Sequence, residues 1–344
     1  MTRENAPAPL PADRVDSLQS SGASLGIILT RSCPARCTMC ITSSGPEAHA
    51  WMDESLIHEI LCQAAPLTSI QSIALTGGEP FSRFRLLSRV VAACHDLGMD
   101  VNITTNAYWA TDTRRIAARL QLLSDTGRIS LTTSTDLFHQ EFVPLVRVKR
   151  LVAVARRLGI AVAVNKVLQR EDRGDTDSGW WASQGITVAA SQFVPVGRAA
   201  DLPADTWVAE LRPELLAGPC NAATRSVTVD VDGAAYVCCG LLIREHIIGR
   251  FPTDSLVDIV TRATSSPVQQ ALAELGPIGV AQVLSADVRG ARSQCGACLQ
   301  LIRNRSVDLL DLDEAQQMTL QLAARYLQRR RAHANRSGAN ATAQ

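Results

Sequence analysis

The chain has 344 residues and a formal net charge of +1, with 46% hydrophobic and 19% charged residues. That length suits one large domain with a small companion, and so even a charge balance gives no field to gather nucleic acid or an acidic membrane surface. No uninterrupted apolar run reaches the roughly 18 residues of a membrane span. Ten cysteines in a chain without a secretory apolar core point to metal binding in a cytoplasmic compartment rather than to disulfides.

Residues 1–23, rich in Pro, Ala, Ser and charge, read as a disordered leader. From there strand-like runs alternate with amphipathic helices. Residues 24–30 read as a strand, and 52–65 as a helix with Leu56, Ile57, Ile60, Leu61 and Ala64 on one face. A second strand at 72–76 precedes a helix at 84–97, whose stripe holds Leu86, Leu87, Val90, Val91, Cys94 and Leu97. Strands at 100–105 and 128–134 flank a helix at 111–125. A helix at 145–158, with Val148, Leu151, Val152 and Ala155 at core spacing, leads to strands at 160–168 and 188–196. Gly98, Gly127, Gly159 and Gly185 fall where left-handed caps would end helices. Six such β-α repeats demand a parallel sheet with right-handed crossovers, with its sites at the carboxyl ends of the strands. Periodicity alone leaves a doubly wound sheet and a barrel equally open.

Two motifs stand at those ends. Cys33, Cys37 and Cys40 form a C-x3-C-x2-C triplet after the first strand, and Leu75-Thr76-Gly77-Gly78-Glu79-Pro80 closes the second. A closed zinc site takes four protein ligands, whereas three thiolates on a [4Fe–4S] cluster leave one iron open for a ligand. In this order the motifs resemble the radical S-adenosylmethionine (radical SAM) superfamily. The resemblance implies an α/β fold, a partial (β/α)6 TIM-like barrel over residues 24–200. It also implies a SAM-binding [4Fe–4S] cluster on Cys33, Cys37 and Cys40, and reductive cleavage of S-adenosylmethionine to a 5′-deoxyadenosyl radical.

By the same resemblance, backbone at Gly77 and Gly78 and the Glu79 side chain contact the SAM ammonium. Met39 lies near the adenine, and Asn106 and Ser134 sit where relatives contact ribose and carboxylate. Arg198, in Pro195-Val196-Gly197-Arg198-Ala199, matches runs found in relatives with C-terminal cluster extensions; a loop arginine capping carbonyls would look the same. His139, in Asp136-Leu137-Phe138-His139 after the fourth strand, is a candidate for proton transfer or substrate binding, with a locally bonded loop histidine as the alternative. Lys166, if it faced the barrel interior, would need a function or an ion pair.

Beyond residue 200 the repeat stops. Val227, Val229 and Val231 alternate toward a turn at Asp232-Gly233, a β-hairpin signal. Cys220, Cys238, Cys295 and Cys298 in residues 201–311 resemble the twitch domain, a short relative of the SPASM domain, so a small α+β iron–sulfur domain with an auxiliary [4Fe–4S] cluster is implied. On spacing alone a zinc ribbon fits equally. Cys238 and its neighbour Cys239 compete for one ligand position, and Cys239 is otherwise a candidate hydrogen-atom donor. Cys94 reads as inert core and Cys62 as an exposed spare. Residues 312–344 read as a C-terminal helix and tail.

Relatives with such extensions modify either ribosomal peptides or small molecules such as aminocyclitols and sugars, and draw electrons from a flavodoxin- or ferredoxin-type reductant. With only 23 residues ahead of the first strand, there is little room for a peptide-recognition domain. The expectation is therefore oxidation of a natural-product or carbohydrate-like substrate, with peptide maturation as the alternative. A non-catalytic electron carrier or zinc scaffold has no use for an open iron.

Overall fold

The computed structural model describes residues 23–167, 177–191, 193–203, 206, 216, 218–238, 247–303 and 312–341. The expected leader up to residue 22, and Cys239, lie outside them.

One nine-stranded sheet organises the chain, in the order β6-β5-β4-β3-β2-β1-β7-β8-β9. Strands β1 (Ala23–Thr30), β2 (Ile70–Gly77), β3 (Asp100–Thr104), β4 (Ile129–Ser134), β5 (Ala161–Val167) and β6 (Val188–Ser191) run parallel. Helices α1 (Glu54–Ala64), α2 (Phe84–Asp96), α3 (Thr113–Ser124) and α5 (Leu145–Arg157) pack side by side on one face. This is the parallel sheet expected from the β-α repeats and the partial barrel that the resemblance implies, with an open concave face.

Strand alternation decides what each face carries. Leu25, Ile27 and Leu29 of β1, Ile73 and Leu75 of β2, Val101 and Ile103 of β3, and Ile129 and Leu131 of β4 are buried in the main core under the helices. Apart from Ile28, their alternates on the concave face are small or hydroxylated: Gly26, Ala74, Thr76, Thr104, Thr132 and Ser134. A full barrel would fill its centre with branched side chains. These small residues leave room there.

Helix ends follow local chemistry. Asp53 caps α1 by accepting from Ser55 N at 2.8 Å. Gly98, Gly159 and Gly185 adopt positive φ (75°, 72° and 64°) after α2, α5 and the short α6 (Ser178–Ser183), as left-handed caps do. Gly127 does not: α3 ends at Asp125 in right-handed conformation, and a Cβ at 127 would sit 2.6 Å from the His95 ring. Glycine there leaves room for the His95 ring instead of forming a left-handed cap. The expected strand 188–196 ends at Ser191, because Pro195 has no amide to donate and Val196 N turns back onto Val194 O at 2.9 Å.

The hairpin at Asp232-Gly233 forms between β7 (Ser226–Val229) and β8 (Ala234–Tyr236), with Gly233 at φ 83°. It does not stand apart: β7 pairs in parallel with β1, and β9 (Ile247–Arg250) extends the same sheet. Helices α7 (Leu256–Ser265), α8 (Pro267–Val283), α9 (Gln294–Arg303) and α10 (Glu314–Ala341) follow. Helix α8 breaks at Gly276, where φ is 69°, just before Pro277. Among the described residues no helix is long and apolar enough to cross a membrane.

Candidate active site

The segment carrying the three cysteines forms no helix, so its carbonyls need other partners. Cys33 N donates to Gly45 O at 3.0 Å and Cys40 N to Cys37 O at 3.2 Å. Two arginines hold the rest. Arg198 donates from Nε to Cys37 O at 3.0 Å and from Nη2 to Ser44 O at 2.6 Å, and its backbone N reaches Cys40 O at 3.0 Å. Arg31 donates from Nη1 to Thr42 O and forms a two-pronged ion pair with the buried Asp230, just beyond β7, with Nε 3.2 Å from Oδ1. Gly197, at φ 59°, lets this turn lie on the cysteine loop, since a Cβ would stand 2.5 Å from Ile41 O.

Arg198 is thus a carbonyl-capping residue that also borders the cavity, and Asp230 and Arg31 were missed in the sequence. Outer partners of metal ligands typically change affinity ten- to hundredfold. Arg198→Ala is therefore expected to lower iron affinity at this loop about tenfold, read as iron retained during chelator titration, with Arg198→Lys recovering part of it. Unchanged retention would assign Arg198 a different role.

Cys33 and Cys37 are buried and Cys40 half-buried, and all three line one cavity of about 530 Å3 at the carboxyl ends of the parallel strands. Met39, Gly77, Gly78, Asn106, Ser134, His139 and Arg198 line it too. Burial, followed by the neighbouring thiols' charges for Cys37, pushes the Cys33 and Cys37 thiols up to about 12. Such thiols give up their protons to a bound metal rather than to water. Asn106 Nδ2 points at Cys33 Sγ, 3.4 Å away, and Thr42 Oγ1 lies 3.3 Å from Cys40 Sγ.

The donor set fits an iron–sulfur cluster better than a single ion. The nearest candidates for a fourth ligand are committed elsewhere. His139 Nδ1 is 2.8 Å from Asp136 Oδ1, and the Glu79 carboxylate is buried among donors. Three thiols around a roomy cavity match a cluster with one open iron.

The Gly-Gly-Glu-Pro loop is stapled to the end of β1. Gly78 N donates to Thr30 O at 2.7 Å and Glu79 N to Ser32 O at 2.9 Å. A Cβ on Gly78 would stand 2.1 Å from Ser32 O, so only glycine allows this approach. Glu79 is placed differently from what the resemblance implies. Its carboxylate is 1% exposed and accepts from Phe81 N (3.1 Å), Thr105 Oγ1 (2.9 Å) and Asn106 N (2.8 Å), joining the ends of β2 and β3. It does not border the cavity.

Burial pushes the Glu79 carboxyl up to about 7, against those donors. A native value above the unfolded one means that the native state holds an extra proton between about 4.5 and 7. Stability contributed by this group is therefore lost as pH rises through that window, by up to about 3 kcal/mol. Urea unfolding at pH 5 and 7.5 should show the slope in the wild type and a smaller one in Glu79→Gln. An equal slope in both would assign it to other groups.

His139 lies in the short helix α4 (Leu137–Gln140), capped by Asp136. Asp136, 1% exposed, also takes Val167 N at 3.4 Å, so a buried carboxylate fixes the ring at the cavity wall. Its part was not singled out in the sequence, although an Asp three residues before a His is a capping pattern. Met39 packs against Phe138 and Val167, and Ser134 closes the concave face of β4. Lys166 does not face the cavity, since its β5 neighbours Asn165 and Val167 do.

The second cysteine group is partly assembled. The Gly276 break lets α8 press on Gly218, whose carbonyl would be 1.7 Å from a Cβ at 276. Cys220 N donates to Leu272 O at 3.0 Å, and Gln294 Nε2 to Gly218 O at 3.2 Å. Helix α9 supplies Cys295 and Cys298, and Cys298 is buried close enough to Cys220 and Cys295 for their charges to push its thiol further up. Cys238 packs at the edge of the same core. No described cysteine forms a disulfide; Cys94 is buried core and Cys62 is exposed beside His58.

Residues 27–173 match the Radical SAM superfamily model, and a domain of that family implies a [4Fe–4S] cluster and SAM. Among curated proteins it is similar to YydG of Bacillus subtilis, ascribed to peptide biosynthesis: 24% identity over 184 residues, 51% of this chain and 56% of that one. It is also similar to GTP 3′,8-cyclase of Rhodopseudomonas palustris, with 27% identity over 201 residues, 54% of this chain and 56% of that one. The chain spans just over half the length of these relatives. The structure of Streptococcus suis SuiB bound to S-adenosylmethionine superposes with a TM-score of 0.54 at 14% identity, over 88% of this chain and 81% of that one, which shows the shared fold.

Proposed function

We propose that the protein is a radical SAM enzyme that modifies a peptide. The observation that carries the chemistry is a single cavity bordered by Cys33, Cys37, Cys40, Gly77, Gly78 and Asn106. A [4Fe–4S] cluster with one open iron supplies, when SAM is bound to it, the electron that cleaves SAM to methionine and a 5′-deoxyadenosyl radical. The chain's own residues prepare this. Arg198 and Arg31 fix the loop that presents the thiols, and Gly77–Gly78 give SAM backbone to approach. Glu79 locks the β2 and β3 loops together, and Asn106 directs an amide hydrogen at Cys33 sulfur, which favours the thiolate. His139, its ring held by Asp136 at this wall, is placed to hydrogen-bond the substrate. The volume of about 530 Å3 is of ligand-pocket size, with hydroxyls of Thr76, Thr104, Thr132 and Ser134 set among apolar side chains.

The peptide substrate is supported by the similarity to YydG and by the SuiB fold, which has also been solved bound to precursor peptide SuiA with a TM-score of 0.54 at 17% identity. The carbohydrate-like substrate expected from the sequence rested on the short segment before β1, and a separate protein can supply peptide recognition. The reductant is of flavodoxin or ferredoxin type. Cys220, Cys295, Cys298 and Cys238 would hold an auxiliary [4Fe–4S] cluster, which would supply an electron acceptor for an oxidative modification. The test is mass spectrometry of short peptides encoded beside this chain's gene, incubated with reconstituted enzyme, SAM and dithionite. A mass change requiring both SAM and reductant is expected; turnover of aminocyclitols or sugars with every peptide untouched would replace the peptide reading.

A further inference from the structure

A second cavity of about 570 Å3 opens between the turn after β6 and helix α9. It shares a wall with the first: Phe193 lines both. Along the same turn Arg198 borders the radical cavity while Ala199 and Ala200 border the second. On the facing side, Gly296, Leu299, Gln300 and Arg303 recur three and four apart and so form one face of α9.

The two walls are held together. Ser293, fully buried, donates from Oγ to the Phe193 carbonyl and accepts from Gly296 N at 2.8 Å. Leu299 packs on Val196 beside Ile41 of the cysteine loop. The second cavity is therefore fixed in place relative to the three thiols. Its floor is small and apolar and its rim is charged. Asp287 and Arg289 neutralise each other at 2.7 Å, but Arg292, half-buried, and Arg303 have no acidic partner among the described residues. A guanidinium that keeps its fork free on a cavity rim is suited to a carboxylate.

We infer that this cavity grips an acidic segment of the peptide substrate, its carboxylates on Arg292 and Arg303, while the residue to be modified extends past Phe193 into the radical cavity. The inference rests on the peptide reading above and gives it a specificity: acidic residues near the modified position. The test uses two fluorescein-labelled decapeptides, one alternating Glu and Ser and one alternating Gln and Ser, titrated at low salt against the reconstituted full chain with SAM. Anisotropy should show the acidic peptide bound about tenfold more tightly. Arg292→Glu/Arg303→Glu should abolish that preference, and Arg114→Glu/Arg115→Glu on the exposed start of α3 should keep it. Equal affinity for the two peptides, or a preference that survives in Arg292→Glu/Arg303→Glu, would overturn the inference. Peptide-free 5′-deoxyadenosine formation is expected to be unchanged in that variant, so a fault in the radical chemistry registers separately from a fault in peptide binding.

Discussion

Gly78→Ala is expected to abolish reductive SAM cleavage. A methyl there would lie 2.1 Å from Ser32 O, 2.6 Å from Ser32 C and 3.0 Å from Cys33 Cβ, the backbone and the root of the side chain that carry the first thiol. None of these is the end of a flexible side chain, so relief requires parting the two loops that Gly78 N and Glu79 N staple together. Overpacking of this kind costs about 1–3 kcal/mol in stability. The larger effect is on geometry, where a displacement of about 1 Å can cost about a hundredfold in rate. Gly98→Ala is the control: its φ is positive, at 75°, but its Cβ touches nothing within 4 Å, and it lies at the far end of α2 from the cavity. Measured as 5′-deoxyadenosine per minute after anaerobic reconstitution, Gly78→Ala should fall at least about a hundredfold and Gly98→Ala should stay near wild type. Wild-type turnover by Gly78→Ala would mean that the loop is not part of the site.

Cys220→Ala/Cys298→Ala is expected to separate the two cysteine groups. Each [4Fe–4S] cluster carries four irons, so the wild type should hold about eight per chain and this variant about four. SAM cleavage without substrate should survive, because the three-cysteine loop is braced by Arg198, Arg31 and Asp230 rather than by Cys220 or Cys298. Completion of the modification should be lost with the electron acceptor. Four irons in both proteins would mean that the C-terminal cysteines hold zinc or nothing.

Much of this was legible in the sequence because it is local. The half-barrel followed from periodicity joined to the two motifs, the hairpin from Asp232-Gly233, and the shared cavity from the rule that sites gather at strand ends. What was not legible depends on pairing across long separations. Asp230 meets Arg31 across 199 positions, and only the parallel pairing of β7 with β1 brings them together. The resemblance implies a Glu79 side chain turned to SAM; Thr105 and Asn106 claim it once β2 and β3 are adjacent. Gly127 was read as a cap, yet it leaves room for His95 of a different helix. Pro195 did carry the signal that β6 would stop early, and it was the apolar run around it that suggested a longer strand.

The central claim is that Cys33, Cys37 and Cys40 present a cluster with an open iron at which SAM is cleaved. The direct measurement is 5′-deoxyadenosine released from SAM and dithionite by the reconstituted chain, beside its Cys33/Cys37/Cys40→Ala variant. The wild type should release it only when both reagents are present, and the variant should release none. No product from a wild type with an intact, reduced cluster, or equal product from the variant, would contradict the account.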